Sequence, residues 1–293
     1  MFGKMVKPDW EREGRNWPNR EASYFVRAAG ILWHVQIMGA GPTLLLLHGS
    51  GAATHSWRDM APILARDFRI VAPDLPGHGF TQTPASEGLS LNGMAGEVAE
   101  LLDVLGEIPA AVVGHSAGAA IALRMQLDGR LGSARLISLN GAIQPFPGVS
   151  GHIFPAMAKL LFLNPIAIQL FALRADRTEA IAGLIESTGS KIDRVGLEDY
   201  RLLLRTTGHI AGALGMMANW NLHPLVADLH RLTSPLTLVA AENDYAVPPR
   251  VAQKVKALTP DSRLILLPGL GHLAHEEAPA RVAEIVHCEA LEI

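Results

Sequence analysis

AAVVGHSAGAA, residues Ala110–Ala120, runs a short apolar strand into a helix of small residues, with a serine at the junction. Gly114-His115-Ser116-Ala117-Gly118 has the G-x-S-x-G spacing of a nucleophile elbow. The glycines follow from sterics. A serine held proud of a sheet edge sits on a strained turn, where bulky neighbours two residues away would strike the backbone. The helix N-terminus beneath it adds a partial positive charge. Five residues can match by chance, so the placement between strand and helix carries the reading.

Outward from Ser116, strands alternate with helices. Thr43–Leu47 (TLLLL) is a continuous apolar run, as in strands buried on both faces. Tyr24–Ala28 and Ile31–Met38 read as a hairpin turning tightly at Ala29-Gly30. Trp57, Met60, Ile63 and Leu64 share a helical face; strand Arg69–Ala72 follows. A second helix carries Leu91, Met94, Val98, Leu101, Leu102 and Leu105. Strand Arg135–Leu139 comes after the elbow's helix. Between about Gly141 and His223 the rhythm lapses into apolar segments with helical spacing and no clear strand. It resumes with strand Leu236–Ala241, a helix from about Pro249, strand Arg263–Leu267 and a last helix to about His287. The pattern predicts an α/β chain with a mostly parallel, doubly wound sheet. Its parts are an N-terminal arm (1–22), a core (23–140 and 224–293) and an inserted helical lid (141–223).

Hydrophobic residues make up 49% of the 293 positions and charged residues 18%, a globular balance with a sizeable core. A net charge of −3 gives no electrostatic case for a nucleic-acid partner. The single cysteine, Cys288, cannot form an internal disulfide and suits a reducing, cytoplasmic setting. The first twenty residues hold no apolar run of signal-peptide kind. Ile153–Leu173 is the most membrane-like stretch. Lys159, Asn164, Gln169, Pro155 and Pro165 interrupt it, so it reads as broken, pocket-lining helices and not as a transmembrane segment. Loose association with a membrane surface stays compatible with it.

A hydroxyl of normal acidity needs a base to become a nucleophile, and the base needs an orienting acid. Asp244 stands just past strand Leu236–Ala241 in AENDYAVPP, with Glu242 as its neighbouring competitor. No carboxylate stands at the end of the strand finishing at Asn140, which favours Asp244. His272 lies past the last strand in LPGLGHLAHEEAP, where Gly269 and Gly271 free the loop to reach back over the sheet edge. His275 is the bland alternative, expected inside the final helix and facing Glu276 or solvent. A tetrahedral intermediate also needs backbone N–H donors. Ala117, after the nucleophile, is one. Ser50 in His48-Gly49-Ser50-Gly51, after the TLLLL strand, is the other, with Gly51 next.

Other patterns carry less. H-L-A-H-E matches neither zinc-protease spacing, so no metal site is assigned. G-S-G-A-A-T lacks the third glycine of a dinucleotide loop, and no phosphate-binding G-x-x-x-x-G-K-[ST] occurs, so no cofactor is expected. Asp74 and His78 in DLPGHG read as turn chemistry. His34, His209, His223 and His230 have no motif around them and receive no role.

With LLLHGSG, APDLPGHGFT, VVGHSAGAA, AENDYAVPP and LPGLGHLAHEEAP in place, the chain resembles the α/β-hydrolase superfamily along nearly its whole length. That resemblance implies an α/β-hydrolase fold and the chain order serine, acid, histidine. A narrower one rests on WPNREASYFVRAAGILWHVQIMG, HGSGAATHSWRDMAP and GHSAGAAIALRM. These are similar to the bacteriochlorophyll-biosynthesis α/β-hydrolase proteins described as magnesium-chelatase accessory or 30 kDa subunits. The resemblance implies a pigment-pathway role, with a porphyrin or chlorin ester as substrate and magnesium-chelatase subunits as partners. The residues themselves favour a hydrolase of an ester, thioester or related bond in a hydrophobic small molecule. The alternative is a non-catalytic chelatase accessory or porphyrin-binding protein on a hydrolase scaffold. Serine at the nucleophile position disfavours epoxide-hydrolase and haloalkane-dehalogenase chemistry, which use a carboxylate there.

Overall fold

The structure, a computed structural model, describes residues 5–145, 164–175 and 177–291. Most of the Ile153–Leu173 segment therefore lies outside the described residues. Eight strands form one sheet: β1 (Ser23–Ala28), β2 (Ile31–Met38), β3 (Thr43–Leu47), β4 (Arg69–Pro73), β5 (Pro109–His115), β6 (Arg135–Leu139), β7 (Leu236–Ala241) and β8 (Arg263–Leu267). Their order is β1-β2-β4-β3-β5-β6-β7-β8. The β1–β2 and β2–β4 pairs are antiparallel, and every other neighbouring pair is parallel. The mostly parallel α/β fold expected from the alternation is what the chain adopts.

Local chemistry explains the elements. The β1–β2 hairpin turns on Ala29 and Gly30, with φ of 51° and 75°, the two left-handed residues that a tight primed turn requires. All five residues of β3 are buried. Leu45 and Leu47 join one core layer with helices α2 (Leu91–Leu105) and α3 (Ala117–Leu127). Leu44 and Leu46 join the other, with Met60 and Leu64 of α1 (Met60–Leu64) and Val282 and Val286 of the C-terminal helix. Helix α2 starts where Ser90 Oγ accepts the Gly93 N–H at 3.0 Å and stops on left-handed Gly106.

Between β6 and β7 the described residues form α4 (Pro165–Arg174), α5 (Thr178–Glu186), α6 (Arg194–Leu204), α7 (Thr207–Ala218) and α8 (His223–Asp228). After β7 come α9 (Arg250–Leu258), α10 (Ala274–Glu277) and α11 (Pro279–Leu291). No helix among the described residues is long and apolar enough to cross a membrane. The N-terminal arm is packed. Trp17 Nε1 donates to Thr54 Oγ1 at 2.9 Å, and Val6 pairs with Thr207 and Gly208 at the start of α7.

Strand order reverses at β3, which has β4 on one side and β5 on the other. At such a switch point the loops after neighbouring strands diverge and leave a crevice at their carboxyl ends. The loops after β3 and β5 are His48–Gly51 and the Ser116 junction.

Candidate active site

Ser116 stands between β5 and α3 with φ 52° and ψ −115°, a backbone conformation that costs a residue bearing Cβ. Surrounding backbone fixes it. Its N–H donates to the Leu139 carbonyl at 3.0 Å, and its own carbonyl accepts from Ala119 and Ala142. The flanking glycines are needed sterically. A Cβ on Gly118 would lie 2.1 Å from the Leu47 oxygen, and one on Gly114 would lie 2.5 Å from the Ala119 Cα.

His272 Nδ1 lies 2.8 Å from Asp244 Oδ2. Asp244 is buried and also accepts from the Val247 N–H at 2.7 Å and from Asn140 Nδ2 at 2.8 Å. Asn140 follows β6, at the strand end where the sequence offers no carboxylate. Its amide stands there and donates to the acid that arrives from β7. Glu242 is turned elsewhere, accepting the Gly269 N–H at 3.4 Å. Ser116 Oγ makes no hydrogen bond to His272. The structure thus joins acid and base, and the serine stands outside that hydrogen-bonded chain.

The insertion clamps the loops that carry this pair. Tyr245 N–H donates to the Thr188 carbonyl at 3.1 Å, and Leu273 N–H donates to buried Ser190 Oγ at 2.7 Å. Between them a Cβ on Gly189 would lie 1.8 Å from the Asn243 oxygen, so backbone meets backbone there.

Gly49 packs on the elbow, since a Cβ on it would lie 3.0 Å from Ser116 Cβ. That contact brings the Ser50 loop to Ser116. Ala117 opens α3, so its N–H has no acceptor within the helix. Among the described residues neither the Ser50 nor the Ala117 N–H donates to another backbone carbonyl. His48 braces the loop. Leu75 N–H donates to its Nε2 at 2.9 Å, which leaves the proton on Nδ1 to be donated to the Gly49 carbonyl at 2.8 Å. Burial lowers the His48 pKa, against the pull of Asp74, and keeps the ring neutral.

Several buried groups around the site carry no sequence motif. His115, the variable residue of the elbow, donates through Nε2 to the His272 carbonyl at 2.9 Å and stays neutral through burial. His275 does not face solvent. It belongs to the short α10, lies buried with its ring 4.7 Å from Trp57 and 4.4 Å from His115, and has both ring nitrogens unpartnered. Its Nε2 is 3.9 Å from Glu276 Oε1, beyond hydrogen-bond reach. Apolar packing against Trp57 draws it inward. Glu276 accepts from the Tyr200 hydroxyl of α6 at 2.8 Å and lies 3.4 Å from the Arg58 guanidinium. Burial pushes its carboxyl up to about 8, with Tyr200 and Arg58 opposing. None of these groups is readable in sequence, because their partners are tens to hundreds of residues away.

Asp74 is a structural hub, as its turn chemistry indicates. It accepts from Thr54 N–H at 2.7 Å and Phe80 N–H at 2.9 Å, and it pairs with His34. Burial works against its charge, yet His34, His48 and the Phe80 N–H together hold its carboxyl well below the usual range. A cavity of about 710 Å³ lies between the arm and the insertion. Val6, Ala172 and Leu173 give it apolar walls; Arg12 and Arg205 pair there with Glu13, burial lowers the lining Lys7 to about 7, and neither Ser116, His272 nor Asp244 lines it. Among the described residues no group of three or more His, Cys, Asp or Glu side chains is placed to hold a metal ion.

Residues 44–285 match the model of the alpha/beta hydrolase family, and the chain belongs to that family. It is 41% identical over 265 residues to the magnesium-chelatase 30 kDa subunit of Rhodobacter capsulatus, covering 90% of this chain and 92% of that one. The narrower resemblance read from the N-terminal and elbow motifs is thereby shown. It is also 28% identical to a putative carbamate hydrolase of Stutzerimonas stutzeri, covering 82% and 88% of the two chains. Among solved structures, a serine hydrolase involved in carbazole degradation superposes with a TM-score of 0.76 at 21% identity, covering 92% and 99%. The epoxide hydrolase CorEH gives 0.75 at 22%, covering 90% and 96%. These two likenesses are of fold, and a fold shared by different chemistries does not choose between them.

Proposed function

We propose that the protein is a serine-nucleophile hydrolase of an ester, thioester or related bond in a hydrophobic small molecule. The observation that carries this reading is the left-handed backbone at Ser116, a strain that packing maintains at the junction of β5 and α3, together with the hydrogen-bonded His272–Asp244 pair. In the proposed reaction Ser116 Oγ attacks the carbonyl carbon as His272 Nε2 takes its proton. Asp244 holds the Nδ1–H tautomer and stabilises the imidazolium. The oxyanion is met by the Ser50 and Ala117 amides. His272 then protonates the leaving group and activates water to release the acyl group. Serine–base contacts tighten once substrate is bound, so the unlinked Ser116 is compatible with this sequence of steps.

The 41% relative, named for magnesium chelatase, supports placing the substrate in bacteriochlorophyll synthesis, with a porphyrin or chlorin ester as the candidate. The same name favours a second reading, a non-catalytic chelatase accessory or porphyrin holder. A fluorophosphonate probe separates the two. The wild type is expected to be labelled, and Ser116→Ala to be unlabelled with a nearly unchanged thermal melt. In a phototrophic host, Ser116→Ala is expected to impair pigment formation as deletion does. Full complementation by the alanine variant at normal protein levels overturns the hydrolase reading of its cellular role.

A further inference from the structure

His209 lies in no sequence motif, and it is a buried group that the proposed mechanism does not use. It is the third residue of α7 and fully buried. Gly79 N–H donates to its Nδ1 at 2.9 Å, so the ring proton sits on Nε2. Nε2 faces the Gly51 carbonyl at 3.1 Å and donates to it. Burial first, and the Lys7 charge next, bring its pKa down to about 3, which keeps this tautomer at any working pH.

Helix α7 is pressed onto the turn that supplies one of these partners. A Cβ on Gly212 would lie 1.9 Å from the Gly77 oxygen, so the helix backbone rests directly on that turn. The other partner, Gly51, is the residue after Ser50, with φ +79° and open space where a side chain would be. A glycine there has wide conformational freedom, which something must remove if the adjoining amide is to stay aimed. His48 holds the Gly49 carbonyl, on the peptide that carries the Ser50 N–H, and His209 holds the Gly51 carbonyl, on the peptide that carries the Ala52 N–H. Ala52 N–H closes the turn on Gly49 at 3.2 Å.

We infer that His209 is a positioning residue: its Nε2–H fixes the Gly51–Ala52 peptide, whose Ala52 N–H holds the Gly49 carbonyl and with it the Ser50 N–H of the same peptide, so the seating of α7 becomes a condition of oxyanion stabilisation. The proposal rests on the hydrolase reading above. It makes the insertion part of the catalytic apparatus through one hydrogen bond, without contact between His209 and substrate.

The test is the second-order rate at which a fluorophosphonate labels Ser116, a reaction in which the Oγ–P bond forms, fluoride leaves and His272 takes the proton. The phosphoryl oxygen occupies the oxyanion position, so the rate reports the donor's aim. Wild type, Ser116→Ala, His209→Ala, His209→Gln and His209→Asn are compared, with thermal melts for each. His209→Ala is expected to slow labelling about 10- to 100-fold, less than the roughly 10²–10³ that deleting an oxyanion donor costs. The glutamine amide nitrogen matches imidazole Nε2 and restores most of the rate. The asparagine amide reaches only the Gly79 side and does not. Labelling of His209→Ala at the wild-type rate overturns the proposal alone, as do glutamine and asparagine variants whose rates merely follow their melts. A wild type that never reacts overturns the hydrolase reading and this proposal with it.

Discussion

Two aspartate–histidine pairs are buried in this molecule with the same geometry, Nδ1 to Oδ2 at 2.8 Å: His34–Asp74 and His272–Asp244. They sit in opposite chemical situations. His34 is fully buried, and its second ring nitrogen lies 3.0 Å from Ser23 Oγ. Asp74 spends its remaining acceptor capacity on the backbone of two turns. His272 is 8% exposed, and among the described residues its second nitrogen has no hydrogen-bond partner. An acid–base pair is thus not by itself a site. What separates the two is a second ring nitrogen that, among the described residues, has no hydrogen-bond partner.

The contrast is broken most severely by removing each histidine in turn. His272→Ala is expected to lower kcat on a chromogenic ester, per folded molecule, by about 10⁴-fold or more. Asp244→Asn is expected to cost a comparable ~10⁴-fold, since the amide favours the wrong imidazole tautomer. His34→Ala should leave activity per folded molecule intact. It strands the buried Asp74 charge and is expected to cost about 3–5 kcal/mol in urea unfolding, while the folded fraction keeps its activity. Equal activity losses from His34→Ala and His272→Ala, each corrected for folded fraction, would erase the distinction.

Smaller changes sharpen it. Asn140→Ala removes one donor from Asp244 and leaves the His272 link, so kcat is expected to fall about tenfold while KM holds. Glu276 gives the weakest effect and a pH signature. Its folded-state pKa is raised, to about 8, above the ordinary 4.5, so between those values the folded protein holds a proton the unfolded chain has lost. Stability therefore falls as pH rises through that window. Glu276→Gln is expected to flatten the slope of the unfolding free energy between about pH 5 and 8. An unchanged slope would place the titration elsewhere in the Arg58–Tyr200 cluster.

Much of the site was legible because its positions obey local rules. A serine on a strained turn needs Gly114 and Gly118 next to it, and the close approaches at both glycines supply the reason. Asp244 and His272 follow strands and precede helices, a layout that run length and glycines reveal. The supporting groups were not legible. Asn140 reads as a strand-end residue until β7 brings Asp244 within 2.8 Å of its amide. His115 reads as the free position of the elbow until its ring meets the His272 carbonyl. His275 reads as a surface helix residue until α10 turns it onto Trp57.

The sequence by itself determined the strand-and-helix alternation, the strand–turn–helix junction at Ser116 and the candidates for nucleophile, acid and base. Hydrophobic periodicity and backbone sterics operate over a few residues, and so they are written in neighbouring letters. Only the tertiary structure decided which histidines are free and which are bound, that the arm and α7 close on the loops beside the serine, and that Asn140 supports Asp244. Those outcomes depend on which hydrogen-bond partners burial leaves available, and the partners come from residues 104 apart for Asn140 and Asp244 and 158 apart for His209 and Gly51. A buried polar group must find a partner or carry the cost of lacking one, and that selection takes place only when the chain is packed.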